Sequence, residues 1–314
     1  MRYDVAIIGG GPAGSAVSVL LSLLGAAVAL IDRTIPDIVA PETISNDTAR
    51  FLKALLGSDD NFGNAIGARS SRWGASRRVE ALMVPDGLGC FIDRRWVDQA
   101  LRRRAQSLGA TTLRAHVWQV RQTAEEWYID LGTGAVTASF LIDASGRACW
   151  FTRRHAGAPV VYDRLIAQSG NLEHQVLPTN EAALCAAPYG WRFLSNCAGA
   201  TYCTSFTDVD LCARPAPGAR SARSQRAAAV AGTRWCAIGD AAGAVDPLSS
   251  SGLSTAFRDA TEASGALGEM NVSKSLRAYS DRKRSDYIDY LLKRRRYYRL
   301  EARWRRQPFW TRRQ

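Results

Sequence analysis

Gly9-Gly10-Gly11-Pro12-Ala13-Gly14, set between an apolar run at residues 3–8 and a small-residue run at 13–24, is the stretch that decides the fold. Residues 3–8 are rich in Val and Ile with little alternation, the pattern of a parallel strand buried on both faces. The pattern predicts a helix over 13–24, closed by Gly25, and a second buried strand over 26–31 that ends at Asp32. Strand, glycine turn, helix and strand make a βαβ unit of about 30 residues. In such a unit Gly9 permits the tight turn, Gly11 lets the backbone approach a pyrophosphate, and Gly14 lets helix and strand pack closely. The helix start, at Pro12 and Ala13, offers N–H groups and a positive dipole end to the phosphates. Asp32 is the expected acceptor for ribose hydroxyls, with Arg33 beside it as a further candidate contact. By itself the unit predicts a dinucleotide and does not say which one.

The 314 residues suffice for one large domain or two ordinary ones. With 46% hydrophobic and 22% charged residues, the balance is that of a soluble globular protein. No apolar run reaches the roughly 18 residues of a membrane span, and Ser18, Ser22 and Gly25 interrupt the longest candidate. The start Met1-Arg2-Tyr3-Asp4 lacks a basic region, so the expectation is a cytoplasmic protein without a signal peptide. Seven cysteines without a C-x-x-C pair exclude a disulfide framework and a thioredoxin-like centre, and three scattered histidines give a metal little to bind. Net charge is +12, and residues 281–314 alone hold thirteen Lys or Arg against Asp281, Asp286, Asp289 and Glu301. That run reads as a solvated helical tail or as a contact for an acidic partner, with no specific nucleic acid implied.

Further along, helices are expected over 43–56, 93–108 and 254–267, and strands over 111–120, 126–131, 136–142, 200–207 and 235–238. Residues 58–72 and 214–226, rich in Gly, Asn, Ser or Pro, read as loops. Aromatic residues Trp73, Trp191, Phe193 and Tyr202 are candidates for a ring-binding pocket. His155 and Asp163 are conceivable proton carriers, but no spacing supports either, and the catalytic residues stay unassigned.

More than two hundred residues beyond the glycine turn comes Ala237-Ile238-Gly239-Asp240-Ala241-Ala242-Gly243-Ala244-Val245-Asp246-Pro247, followed by Ser249-Ser250-Ser251-Gly252. This resembles the second flavin fingerprint of the superfamily that holds p-hydroxybenzoate hydroxylase, geranylgeranyl reductase and the flavin-dependent halogenases. The resemblance implies FAD as cofactor, Gly239 and Asp240 at the ribityl chain, and Pro247 to Gly252 near the flavin ring. Donors there would stabilise the negative charge of reduced flavin. Leu141-Ile142-Asp143-Ala144-Ser145-Gly146-Arg147 resembles the middle motif of the same superfamily, which brings Asp143 and Gly146 to the nucleotide. Arg94-x-x-x-Asp98 resembles its R-x-x-(hydrophobic)-D motif, whose arginine approaches the phosphates or the ribityl chain.

The implied fold is α/β: a Rossmann-like FAD-binding domain with an inserted β-rich substrate domain, of the group A flavin monooxygenase type. The expected division is FAD domain over 1–150, with substrate elements between 40 and 90, a β-rich region over 151–232, the closing FAD segment over 233–280 and the basic tail over 281–314. Pro41-Glu42-Thr43-Ile44, Ser71-Arg72-Trp73-Gly74 and Val245 to Gly252 look like the halogenase-like branch. That branch also contains monooxygenases, some acting on a protein-borne tryptophan. Halogenases use a lysine before the aromatic that matches Trp73, and no lysine lies between Lys53 and Lys274. The resemblance therefore implies hydroxylation of an aromatic small molecule, peptide or protein through a flavin C4a-hydroperoxide. Halogenation and isoprenoid double-bond reduction are the alternatives. The chain has no second GxGxxG, so NAD(P)H binds transiently or a separate flavin reductase is the electron source.

Overall fold

The computed structural model describes residues 1–33, 40–59, 62–74, 79–81, 87–174, 176–213 and 215–314. Two sheets organise it. The first runs Ala231–Gly232, Trp235–Ala237, Ala135–Asp143, Arg2–Ile8, Val28–Asp32, Thr111–Arg114, with two further antiparallel strands, Trp127–Asp130 and Gln119–Gln122, on its flank. Its central pairings are parallel: Ile8 lies beside Asp143 on one side and Ile31 on the other. The apolar strands are buried on both faces because helices cover them, Pro12–Leu23 above all. That helix is built of small residues from Ala13 to Ser18, which lets the helices Arg94–Ser107 and Gly252–Gly268 approach it closely. The Arg94–Ser107 helix is started by Asp93, whose carboxylate accepts from the N–H groups of Arg95 and Trp96.

The second sheet runs Arg220–Ser221, Leu165–Leu172, Ala200–Asp208, Gly190–Cys197, Glu181–Ala187, Ala68–Arg72, Val79–Ala81. All its pairings are antiparallel except that of Glu181–Ala187 with Ala68–Arg72. Residues 58–72, expected as a loop, thus contain strands at Gly63–Ala65 and Ala68–Arg72. Gly63–Ala65 pairs with Cys90–Ile92, and Ala68–Arg72 finds one of its partners, Glu181–Ala187, more than a hundred residues away, which local Gly, Asn and Ser content cannot show. The expected helix over 43–56 begins only at Asn46, capped by Ser45, after a short strand Glu42–Ile44.

Residues 281–314 do not form a solvated tail. The helix Val272–Arg299 lies across the molecule, and the segment after it turns back under the second sheet. Tyr298, Phe309 and Trp310 are fully buried there against Leu165, Trp191 and Phe206. Asp208 receives Arg312 and the buried Arg313 as ion pairs. No helix among the described residues is long and apolar enough to cross a membrane.

Candidate functional site

Where the strand Arg2–Ile8 ends between its parallel neighbours, a cavity of about 890 Å³ opens and runs from the glycine turn to the face of the second sheet. This is the crevice in which open α/β sheets bind ligands. Gly9, Gly11, Pro12, Ala13, Asp32, Arg33, Arg94, Gly146, Asp240, Pro247 and Gly252 all line it, brought together from across 244 positions of sequence.

Three of the expected contact residues stand behind the wall instead. A Cβ on Gly14 would lie 1.9 Å from the Gly9 carbonyl oxygen, so this glycine serves helix–strand packing. Asp143 is fully buried, and its carboxylate is saturated from within. It accepts from Ser145 N (3.0 Å), Phe151 N (3.1 Å), Thr152 N (2.8 Å) and the hydroxyls of Ser145 and Thr152. It shapes the turn that carries Gly146 to the cavity and does not face the cavity itself. Gly239, at φ +58°, donates its N–H to Asp259 Oδ2 (2.8 Å), and the buried Lys283 ammonium neutralises that carboxylate.

The lining fits FAD on its own geometry. Gly11 has an ordinary φ of −74°, and a Cβ there would meet nothing within 4 Å. Its lack of a side chain therefore leaves open space above the first turn of the helix Pro12–Leu23, where no side chain caps the N–H groups. Around this opening the charges are paired. Asp32 holds Arg102 (2.8 Å), Asp240 holds Arg147, and Arg94 bridges Glu42 and Asp98, both at 3.0 Å. Burial alone would lower the Arg94 pKa, but Glu42 and Asp98 raise it above the ordinary range. Both ribose-type candidates, Asp32 and Asp240, thus carry an arginine partner and line the cavity at its two halves. Glu42 and Arg102 escaped the sequence reading as site residues, although Glu42 sits in a stretch that it singled out.

At the opposite end the turn Asp246-Pro247-Leu248 leads to the helix Gly252–Gly268, and Leu253 and Ala256 of that helix reach the lining. The turn is anchored by the helix Val272–Arg299. Asp246 is buried; its N–H donates to Tyr290 Oη (2.7 Å), and its carboxylate accepts from Tyr298 Oη (2.8 Å) and Arg294 Nε (3.2 Å). Trp191 Nε1 donates in turn to Tyr298 Oη (3.0 Å), which links the second sheet to the turn. Arg294 also pairs with Asp163 (2.7 Å), so Asp163 is a buried structural carboxylate. His155 stacks on Phe151 beside Trp127 and Trp235, away from the cavity.

The wall opposite the glycine turn is one face of the second sheet. Leu184 lies across from Phe193, Phe193 from Thr204, and Trp191 from Phe206, onto which it stacks with ring centroids 3.7 Å apart. Of the four expected aromatics, Trp191 and Phe193 line the cavity. Trp73 packs under Tyr298 and Trp310, and Tyr202 lines a smaller neighbouring cleft of about 570 Å³. Phe206 and Tyr297 complete the cavity wall, and no lysine is among its lining residues. Among the described residues no cluster of His, Cys, Asp or Glu can hold a metal.

Fold and site together define an FAD-dependent oxidoreductase with a Rossmann-type nucleotide crevice facing a second, substrate-side sheet. A family model for the FAD binding domain matches residues 2–164, and one for tryptophan halogenase matches residues 88–314. The chain belongs to the tryptophan halogenase family of FAD-binding proteins. It is 26% identical to LodB of Marinomonas mediterranea, assigned as an FAD-dependent oxidoreductase, across 99% of this chain and 96% of the relative. That alignment spans 364 positions, so the relative carries insertions that this chain lacks. Among solved structures, the peptidyl tryptophan dihydroxylase QhpG is 22% identical with a TM-score of 0.77, over 100% of this chain and 79% of its own. The myxobacterial chondrochloren halogenase CndH is 20% identical with a TM-score of 0.86, over 100% and 86%. The p-nitrophenol 4-monooxygenase PnpA from Pseudomonas putida is 18% identical with a TM-score of 0.74, over 92% and 86%.

Proposed function

We propose that the chain is a flavin-dependent monooxygenase that hydroxylates an aromatic ring, with tryptophan carried in a polypeptide as its leading substrate class. The observation that carries this reading is the single cavity that joins the glycine turn to an apolar chamber walled by Leu184, Trp191, Phe193 and Phe206 and free of lysine. The fold shared with a peptidyl tryptophan dihydroxylase supports the substrate class.

In this reading the N–H groups at the start of the helix Pro12–Leu23 receive the pyrophosphate across the space that Gly11 leaves open. Asp32 accepts from the ribose hydroxyls and Asp240 from the ribityl hydroxyls, each held in place by its arginine partner, while Arg33 and Arg94 add positive charge along the cofactor. Gly146, Pro247 and Gly252 bring backbone close to the flavin end, and the N-terminus of the helix Gly252–Gly268 favours negative charge there. When bound and reduced, FAD supplies the activation of dioxygen. The apolar wall keeps water out and orients the ring. Electrons come from NAD(P)H bound transiently or from a separate flavin reductase.

The test is to load the protein with FAD, supply NADH with and without a flavin reductase, and add a tryptophan-containing peptide in air. Mass spectrometry should find the peptide heavier by one or two oxygen atoms. A halogen added when chloride or bromide is present, without oxygen incorporation, would establish instead the second reading, which the family model favours. That second reading lacks the lysine that halogenases use.

A further inference from the structure

Three of the six arginines that line the cavity are matched to carboxylates: Arg94 to Glu42 and Asp98, Arg102 to Asp32, Arg147 to Asp240. Arg69 is different. It has no ion pair among the described residues, and its Nε is buried without a hydrogen-bond partner. The register places it in the wall of the chamber. Arg69 lies beside Ala182 and Ser71 beside Leu184, while Leu184 faces Phe193 on the next strand. The guanidinium thus belongs to the same sheet face as the aromatic wall, one row beyond it. Burial lowers the Arg69 pKa, and no neighbouring acid acts against that effect.

A half-buried cation without a counter-ion is costly, and unsatisfied groups of this kind in native proteins call for an explanation. The planar fork of a guanidinium matches a carboxylate through two parallel hydrogen bonds. We infer that Arg69 is a specificity-determining residue that receives a substrate carboxylate lying a few bonds from the aromatic ring held against Leu184 and Phe193. The ring's place in the chamber rests on the proposed function, whereas the carboxylate requirement rests on Arg69. The carboxylate comes either from an Asp or Glu next to the aromatic residue of a polypeptide or from a free aromatic acid.

Calorimetric titration of the FAD-loaded protein with two matched pairs tests this. One pair is indole-3-acetate and indole-3-acetamide; the other is two tryptophan peptides that differ only in Asp or Asn next to the tryptophan. In at least one pair the carboxylate member should bind about tenfold more tightly. Preference in the peptide pair identifies a polypeptide source, and preference in the indole pair a free acid. Arg69→Gln should abolish the preference and leave affinity for the neutral member unchanged, and Arg69→Lys should retain part of it. FAD content and thermal midpoint are followed in both variants. The inference is overturned by equal affinities within both pairs in the unaltered protein, by a preference that survives Arg69→Gln, or by equal loss of both members in that variant. Because calorimetry reads binding, a chain that prefers the carboxylate yet hydroxylates nothing would overturn the proposed reaction and leave the Arg69 assignment standing.

Discussion

At the scale of single residues, Gly11 and Gly14 differ by three positions and answer to different forces. Gly11 has a backbone conformation open to any residue and empty space where a side chain would go. Gly14 has none: its Cβ would press into the Gly9 carbonyl. Gly11→Ala should therefore keep the thermal midpoint and weaken FAD binding, as fluorescence titration would register. Gly14→Ala should lower stability by about 1–3 kcal/mol in denaturant unfolding, because the helix must shift off the strand. Equal effects of the two substitutions on stability would contradict this division. Thiols make a similar contrast between presence and availability. Burial pushes Cys149 up to about 11, and Cys236, deeper still, is raised further. Neither is a nucleophile near neutral pH, and the other five cysteines are only partly buried.

Among the elements, the helix Val272–Arg299 and the segment after it carry the largest revision. Tyr298 accepts from Trp191 and donates to Asp246, so one hydroxyl ties the substrate-side sheet to the turn before the helix Gly252–Gly268. Tyr298→Phe leaves the buried Trp191 Nε1 without an acceptor, removes one donor from the Asp246 carboxylate, and should cost about 1–3 kcal/mol, read by denaturant unfolding, together with a weaker grip on FAD. Glu301 is the second anchor. Burial would raise its pKa, but the Arg303 side chain and the N–H groups of Gly74 and Arg303 hold it below the usual range. A carboxyl depressed in this way stabilises the fold above its unfolded pKa of about 4.3, and that contribution is lost as pH falls through the lower folded value. Glu301→Gln should therefore be less stable than the parent chain at neutral pH, with the gap closing as pH drops below about 4.3. Thermal midpoints across that range decide it; a gap independent of pH would count against the linkage.

For the whole molecule, what could be read from sequence was what is local. The βαβ unit declares itself because buried strands, a glycine turn and an acid follow one another within residues 3–32. The second fingerprint was legible for the same reason. The anchoring of Asp246 by Tyr290, Arg294 and Tyr298 was not, since the partners lie some 50 positions away and no periodicity connects them. In residues 281–314 charge density hid the aromatic signal: Tyr287, Tyr290, Tyr298, Phe309 and Trp310 were the marks of a buried surface. The expected consequence is measurable. Deleting 298–314 should strip the protein of FAD and unfold the second sheet, whereas changing the exposed Arg295, Arg296 and Arg299 to Gln should leave FAD content intact. The same anchoring sets a timetable for biosynthesis. At roughly 5–20 residues per second on the ribosome, the glycine turn is polymerised on the order of 15–55 s before Tyr290. Until then the turn at Asp246 lacks the side chains that anchor it, so ribosome-bound chains that end before Tyr290 should bind added FAD more weakly than the released protein.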